Sequence, residues 1–549
     1  MMEQVIRGAL VFDGTGAAGQ HVDVRIADGV IVEVAENIVV DGVEVVDAEG
    51  LVLAPGFIDI HTHYDAQVLW DRDLTPSSWH GVTTAVMGNC GFGIAPTRPG
   101  DRGKIARTLE NVEGMSVEAL NAGIPWTFET FPQYMDAVAA EPTRLDVAAF
   151  VGHTPVRTYV MGDEATEREA TSDEIDEMAR IVGEAMDAGA IGFSTSKASG
   201  HAGDGGKPVP SRYAVLDEII TLAKECGKRD RGVIEVTTGP GLFIDEAAQL
   251  SKESGRPVTW AALFTGLGTV GRAEELVDRT ESRGGNVVPQ IACRPIVMQI
   301  TLADPFPFAR VAGFEAVMSI PREERLAVYA DPAWRDRVRN GITAQWGHQW
   351  KKTVVAESEL HADLVEGESM QTIADRAGMD PFDLICDLSV ADDLKTRFRI
   401  VLANDDEDEL GRLLQDERTV LGLSDAGAHS SQLCDAGYST HLLGHWVREL
   451  GVLTLAQAIW RLTGQPAELF GLNDRGRIAV DFKADLVLFD PAEVGPGQLE
   501  RVWDLPAGAD RLISRSLGVR DVWVSGVAIR RDGEDVAGAR PGRLVRSGV

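Results

Sequence analysis

The chain has few cysteines, a shortage of basic residues and no long apolar run, and each lack removes a class of protein. Its 5 cysteines (Cys90, Cys226, Cys293, Cys386 and Cys434) in 549 residues are odd in number, scattered and free of any CxxC pair. That excludes a disulfide framework as the basis of the fold. No stretch approaches the roughly 18 to 20 apolar residues that a membrane helix needs. The opening "MMEQVIRGALVFDG" has none of the basic start, apolar middle and small-residue cleavage site of a signal peptide, so the expected location is cytoplasmic. With 52 basic against 85 acidic residues, the formal charge is −33, which repels nucleic-acid phosphates and anionic lipid alike. Neither is an expected partner; a small-molecule substrate is, and assembly as a homo-oligomer stays open.

What is present is a large soluble chain, 44% hydrophobic and 25% charged, long enough for one large barrel with an accessory domain or for two to three domains. Residues 4–54 alternate apolar and polar positions between Gly and Asp breaks, and "ADLVLFD", "VRDVWVSGVAIRRDG" and "GRLVRSGV" repeat that texture at the far end. The expectation is a small β-sandwich domain assembled from residues 1–54 and 480–549. Between them, "GFIDIHTH", "TTAVMGNCG", "LDVAAFVGH", "AGAIGFSTS", "RGVIEVTTG", "GRPVTWAAL", "GNVVPQIAC" and "RTVLGLSDAGA" are apolar runs ending in small or polar residues. Helical segments intervene, such as 171–189, with Thr171 or Ser172 as N-cap and Gly189 as terminator. About eight βα units make an α/β fold, a TIM (β/α)8 barrel over 55–479, whose chemistry gathers at the C-terminal ends of its strands. A Pro- and aromatic-rich stretch at about 294–370 is too long for a barrel loop and is expected to be an insertion over the mouth.

The strand-end residues therefore carry the functional information. In "APGFIDIHTHYD", His61 and His63 are two apart and project to the same side of an extended strand. Imidazole nitrogen, thiolate and carboxylate are the donors that zinc and its relatives prefer, and the pair supplies two of them. Cys90 ends the next strand between glycines in "VMGNCGFGIAP", and Asp425 ends the last in "VLGLSDAGAH". A carboxylate there can bind a metal and also act as general base.

The stretches "GLVLAPGFIDIHTHYD", "GVTTAVMGNCGFGIAP", "FVGHTPVRTYVMG", "AGAIGFSTS", "LGLSDAGAH" and "GRIAVDFKADLVLFDP" resemble, in order and over residues 7–490, the amidohydrolase superfamily and within it the N-acyl-D-amino-acid deacylases. The resemblance implies a β-sandwich beside a TIM barrel, zinc contacts from His61, His63, Cys90 and Asp425, and attack of activated water on an amide carbonyl. Relatives also carry metal-binding histidines at the ends of the fifth and sixth strands. Here those read "GVIEVTTGPG" and "RPVTWAALFTG", so this is a divergent member. Glu235 is the possible extra oxygen ligand, one zinc ion or another divalent metal is expected in preference to two, and Lys197 is not read as the carboxylated lysine of hydantoinase-like relatives.

His429, on the loop at the mouth, and His153, at a strand end, are candidate groups for the tetrahedral intermediate; His201, Lys197 and Arg294 are candidates for holding substrate, with Arg294 preferred because a guanidinium grips a carboxylate bidentately. The expected activity is deacylation of an N-acyl-D-amino acid or related linear amide. The alternatives are a cyclic amide or lactone hydrolase of the same superfamily, and a metal-poor binding scaffold without turnover.

Overall fold

The computed structural model describes residues 3–547 except 267–268, 304, 306–307, 309–310 and 319. Eight parallel strands form its centre: β1 (Phe57–Thr62), β2 (Val82–Met87), β3 (Asp146–Gly152), β4 (Gly192–Ser196), β5 (Val233–Thr237), β6 (Val258–Leu263), β7 (Val287–Ile291) and β8 (Val420–Leu421). Each pairs with the next, with β8 beside β7, and a Thr62–Ala426 bridge beyond β8 returns to the end of β1. The ring is closed, as a TIM barrel requires. β1 to β4 are buried along their whole length, which is why they read as continuous apolar runs instead of alternating ones.

Helices follow most strands, among them α1 (Arg102–Glu113) after β2. The helix Ser172–Asp187 starts as its sequence requires: Thr171 accepts from the Glu174 amide and Glu174 reaches back to the Thr171 amide at 2.7 Å, satisfying two orphan donors. Among the described residues no helix is long and apolar enough to cross a membrane.

Both chain ends build two further sheets. One has the order Val30–Ala35, Asp23–Ala27, Glu3–Arg7, Glu44–Asp47; the other runs from Glu534–Asp535 through Val527–Arg531, Val519–Val524, Leu486–Phe489, Val52–Pro55 and Leu10–Val11 to Gln20–His21. Ile6, Val24, Ile26, Leu53, Leu486, Leu488 and Trp523 pack between them. The last residues leave this sandwich: Thr143 bridges Gly542 and Val147 bridges Leu544, so the tail lies along β3.

Pro295–Asp405 is a separate compact unit. Its antiparallel sheet has the order Ile296–Ile300, Arg397–Ala403, Val354–Glu357, and Phe314, Tyr329, Trp334 and Phe382 form an aromatic cluster. The expected end at about 370 is too early, because the strand that joins this sheet together is 397–403.

Candidate metal centre

The site is assembled where the closure of the barrel brings distant segments together. The amide of Asp425 donates to the carbonyl of His61 at 3.2 Å, the amide of His63 to that of Ala426 at 2.8 Å, and the Ser424 hydroxyl to that of His61 at 3.1 Å. This lacing sets the end of β8 against the end of β1. Cys90, Asp425 and His429 all have left-handed backbones, with φ of 57°, 45° and 46°, a conformation that costs a non-glycine residue of order 1 kcal/mol or more and is concentrated at functional sites.

His61, His63 and Cys90 present ligand atoms within 4.8 Å of one another. The Cys90 sulfur lies 3.4 Å from Nε2 of His61, and Oδ1 of Asp425 lies 3.3 Å from the same nitrogen and 3.7 Å from Nε2 of His63. The two histidines are buried, whereas the Asp425 side chain is 33% exposed and so can meet both ligand and solvent.

Gln290 on β7 fixes the state of His61. Its amide nitrogen donates to Thr259 at 2.9 Å, which turns its oxygen toward Nδ1 of His61 at 2.8 Å. The Nδ1 atom therefore carries the proton, and Nε2 faces the centre as a bare donor atom. Burial lowers the His61 pKa to about 4, keeping the ring neutral. For His63, burial opposes protonation, but Glu113, Asp425 and Cys90 outweigh it and raise the pKa well above the ordinary value. Burial also acts against the charge on Asp425, yet His63, His61 and His429 bring its pKa to about 2. The Cys90 thiol, buried and next to Glu235, is pushed up to about 12.

Glu235 on β5 accepts from the Cys90 amide at 2.7 Å through Oε2, while its buried Oε1 makes no hydrogen bond of normal geometry among the described residues. Burial raises its pKa to about 8. A buried carboxylate oxygen is costly unless paired, and two imidazoles, a thiol and nearby carboxylates are the donor set of a divalent transition metal. The residues fit a cation.

The other sequence-derived candidates separate. His429 and His201 lie in the field of this cluster: burial lowers His429 to about 4, with Asp425 and His63 also acting on it, and burial lowers His201 to about 3, with His63 and His429 contributing. Nδ1 of His201 meets the Ser196 hydroxyl at 2.7 Å. Both ring nitrogens of His153 are engaged, by Thr195 and Glu218 at 2.8 and 2.9 Å, a setting that suits a structural role. Lys197 donates to the carbonyls of Arg212 and Ala214, each at 2.6 Å, a loop-fastening role. Arg294 pairs with Asp435 at 3.4 Å, which opposes its expected use as the carboxylate anchor.

Two residues of the site escape the sequence reading. Glu113, at the end of α1 and 3% exposed, brings Oε1 to 3.2 Å from Nδ1 of His63; Gln290 looks like an ordinary polar residue in an apolar strand. A glutamate on the last turn of a helix reads as solvated surface, and only its contact with His63 distinguishes it.

Known proteins are similar to this chain over nearly its whole length. The D-aminoacylase of Alcaligenes xylosoxydans xylosoxydans is 27% identical over 98% of this chain and 97% of its own. The N-acyl-D-aspartate deacylase of the same organism is 29% identical over 99% of this chain and 95% of its own. The solved structure of N-acyl-D-glutamate deacylase from Bordetella bronchiseptica, complexed with zinc and a phosphonate mimic of the tetrahedral intermediate, is 26% identical with a TM-score of 0.68, over 99% of both chains. A model of the Amidohydrolase family matches residues 44–529. Matched over that length, with a closed barrel and a histidine pair at the end of its first strand, the chain belongs to the amidohydrolase family.

Proposed function

We propose that the chain is a zinc-dependent hydrolase of a carbon–nitrogen bond other than a peptide bond, which removes the acyl group from an N-acyl-D-amino acid or a related linear N-acyl compound. The observation that carries this reading is the convergence of His61, His63, Cys90 and Asp425 at the closure of the barrel. One ion is favoured over two, because β5 and β6 end without histidine; Glu235, whose carboxyl is buried and accepts from the Cys90 amide, is the group best placed to add an oxygen ligand beside Cys90.

A cation held there would polarise the scissile carbonyl and make a water molecule more acidic. Asp425, ionised down to about pH 2 and open to solvent, takes the proton from the attacking water and delivers it to the departing amine nitrogen. His201 and His429 are neutral imidazoles that would face the tetrahedral oxyanion as hydrogen-bond donors. For the substrate carboxylate the anchor passes from Arg294 to Arg212, which donates to the carbonyl of His201 at 3.2 Å and acts electrostatically on that ring.

The test is turnover of an N-acyl D- and L-amino acid panel, with cyclic amides and lactones alongside, by protein reconstituted with zinc. Release of free D-amino acid is expected. Turnover of rings alone, or of nothing with one equivalent of zinc bound, would overturn the proposal.

A further inference from the structure

The two histidines of the centre are held from behind by different groups. Gln290 meets Nδ1 of His61 as a neutral amide oxygen at 2.8 Å; Glu113 meets Nδ1 of His63 with a carboxylate oxygen at 3.2 Å. Both arrangements leave Nε2 on the side of Asp425. Glu113 does more. Its backbone carbonyl accepts from the amide of His429, and the next residue, Gly114 (φ +60°), is where a β-carbon would come within 2.9 Å of Nδ1 of His429. The C-terminal turn of α1 thus bears on one histidine through a side chain and on another through backbone.

The geometry points to Glu113 as a positioning residue for the cation site: its carboxylate fixes His63 in the tautomer that offers Nε2 to the cation and makes that nitrogen a stronger donor, while its main chain holds His429 beside it. A carboxylate behind a ligating imidazole orients the ring and raises its basicity, and losing such a partner typically lowers metal affinity 10- to 100-fold. A purely structural role accounts poorly for this residue. Its carboxyl group is buried, 3% exposed, and an apolar side chain of similar size would serve packing without the cost of desolvating a polar group.

This inference rests on the metal-site reading above, and zinc affinity per folded chain, measured by competition with a chromophoric chelator, tests the two separately. If the wild type binds no zinc, the site reading itself fails. If it binds, E113L, which keeps the volume and removes the carboxylate, is expected to bind zinc 10- to 100-fold more weakly per folded chain. E113Q, which keeps an oxygen facing Nδ1 of His63 without the charge, is expected to recover most of the affinity while binding about three- to tenfold more weakly than wild type. With cobalt in place of zinc, the thiolate-to-metal absorption of E113L should shift as the ligand geometry loosens. Affinity of folded E113L within twofold of wild type overturns the proposal. Should E113L fail to fold, E113Q decides: a loss of threefold or more supports the role and wild-type affinity overturns it.

Discussion

Oδ1 of Asp425 stands 3.3 Å from Nε2 of His61, although the two residues lie near opposite ends of the barrel sequence. The Thr62–Ala426 bridge and the hydrogen bonds around it hold them there. Asp425 is thus tied to the cation site by backbone while its side chain keeps access to solvent. D425N retains the shape and removes the base. Turnover is expected to fall about 10²- to 10⁴-fold, the range for loss of a general base, while zinc content stays near one equivalent because His61, His63 and Cys90 persist. Activity within tenfold of wild type, with metal still bound, would assign the proton transfers elsewhere.

Dependence on the cation follows from the donor set. Chelation should abolish amide hydrolysis, and one equivalent of zinc should restore it. H61A and H63A should each bind less than a tenth of the wild-type zinc at micromolar concentration, and added zinc should not rescue them at that level. A second equivalent that raises activity further would show that Glu235 and its neighbours build a second working site. Metal analysis beside a titrated activity assay separates these outcomes.

How much of this was legible in the chain depends on whether a residue's job leaves a local signature. His61 and His63 could be paired because strand geometry alone puts positions two apart on one face, and the eight apolar runs announced the barrel because parallel strands are buried on both sides. Asp425 was visible as a strand-end acid. Glu113 was not, since its partner His63 lies in another element and nothing in "RTLENVEG" marks one glutamate as buried. The end of the inserted unit is hidden for the same reason: Arg397–Ala403 joins its sheet by pairing with Ile296–Ile300 and Val354–Glu357, contacts without a local pattern. His153 shows the converse case, as a histidine at a strand end attracts a catalytic reading, and its two ring contacts supply a structural one.

Those contacts give a prediction of their own. Glu218 accepts from Arg157 and meets His153, and all three side chains are fully buried. Removing the carboxylate in E218A strands the Arg157 charge, which typically costs about 3–5 kcal/mol. Urea unfolding should show a loss of that order, with kcat per folded chain within about twofold of wild type. H153Q should behave alike, with a smaller stability loss. A kcat loss beyond tenfold in stable H153Q protein would return His153 to the reaction.

The buried His80 gives the fold a pH dependence of definite sign. Its Nε2 meets the Ser514 carbonyl at 2.9 Å and its Nδ1 the Thr440 hydroxyl at 2.8 Å, so the neutral ring suits the site, with Nε2 donating. Burial, opposed by the Ser514 bond and reinforced by Arg294 and Arg530, lowers its pKa from 6.5 to about 4. Between those values the unfolded chain binds a proton that the folded chain refuses, so the stabilisation from a neutral His80 is complete above pH 6.5 and drains away as the pH falls toward 4. The full span is worth about 3 kcal/mol at most. Buried His61, His201 and His429 act in the same direction and His63 in the opposite one, so the residue's share must be read as a difference between variants. H80Q has no group to titrate there: it should be less stable than wild type at pH 7.5, with a gap that narrows steadily as the pH is lowered to 4.5. Parallel urea midpoints at the two pH values measure this; a gap that stays constant would mean that folding leaves the His80 pKa unshifted, and one that widens on acidification that the ring is already protonated in the fold.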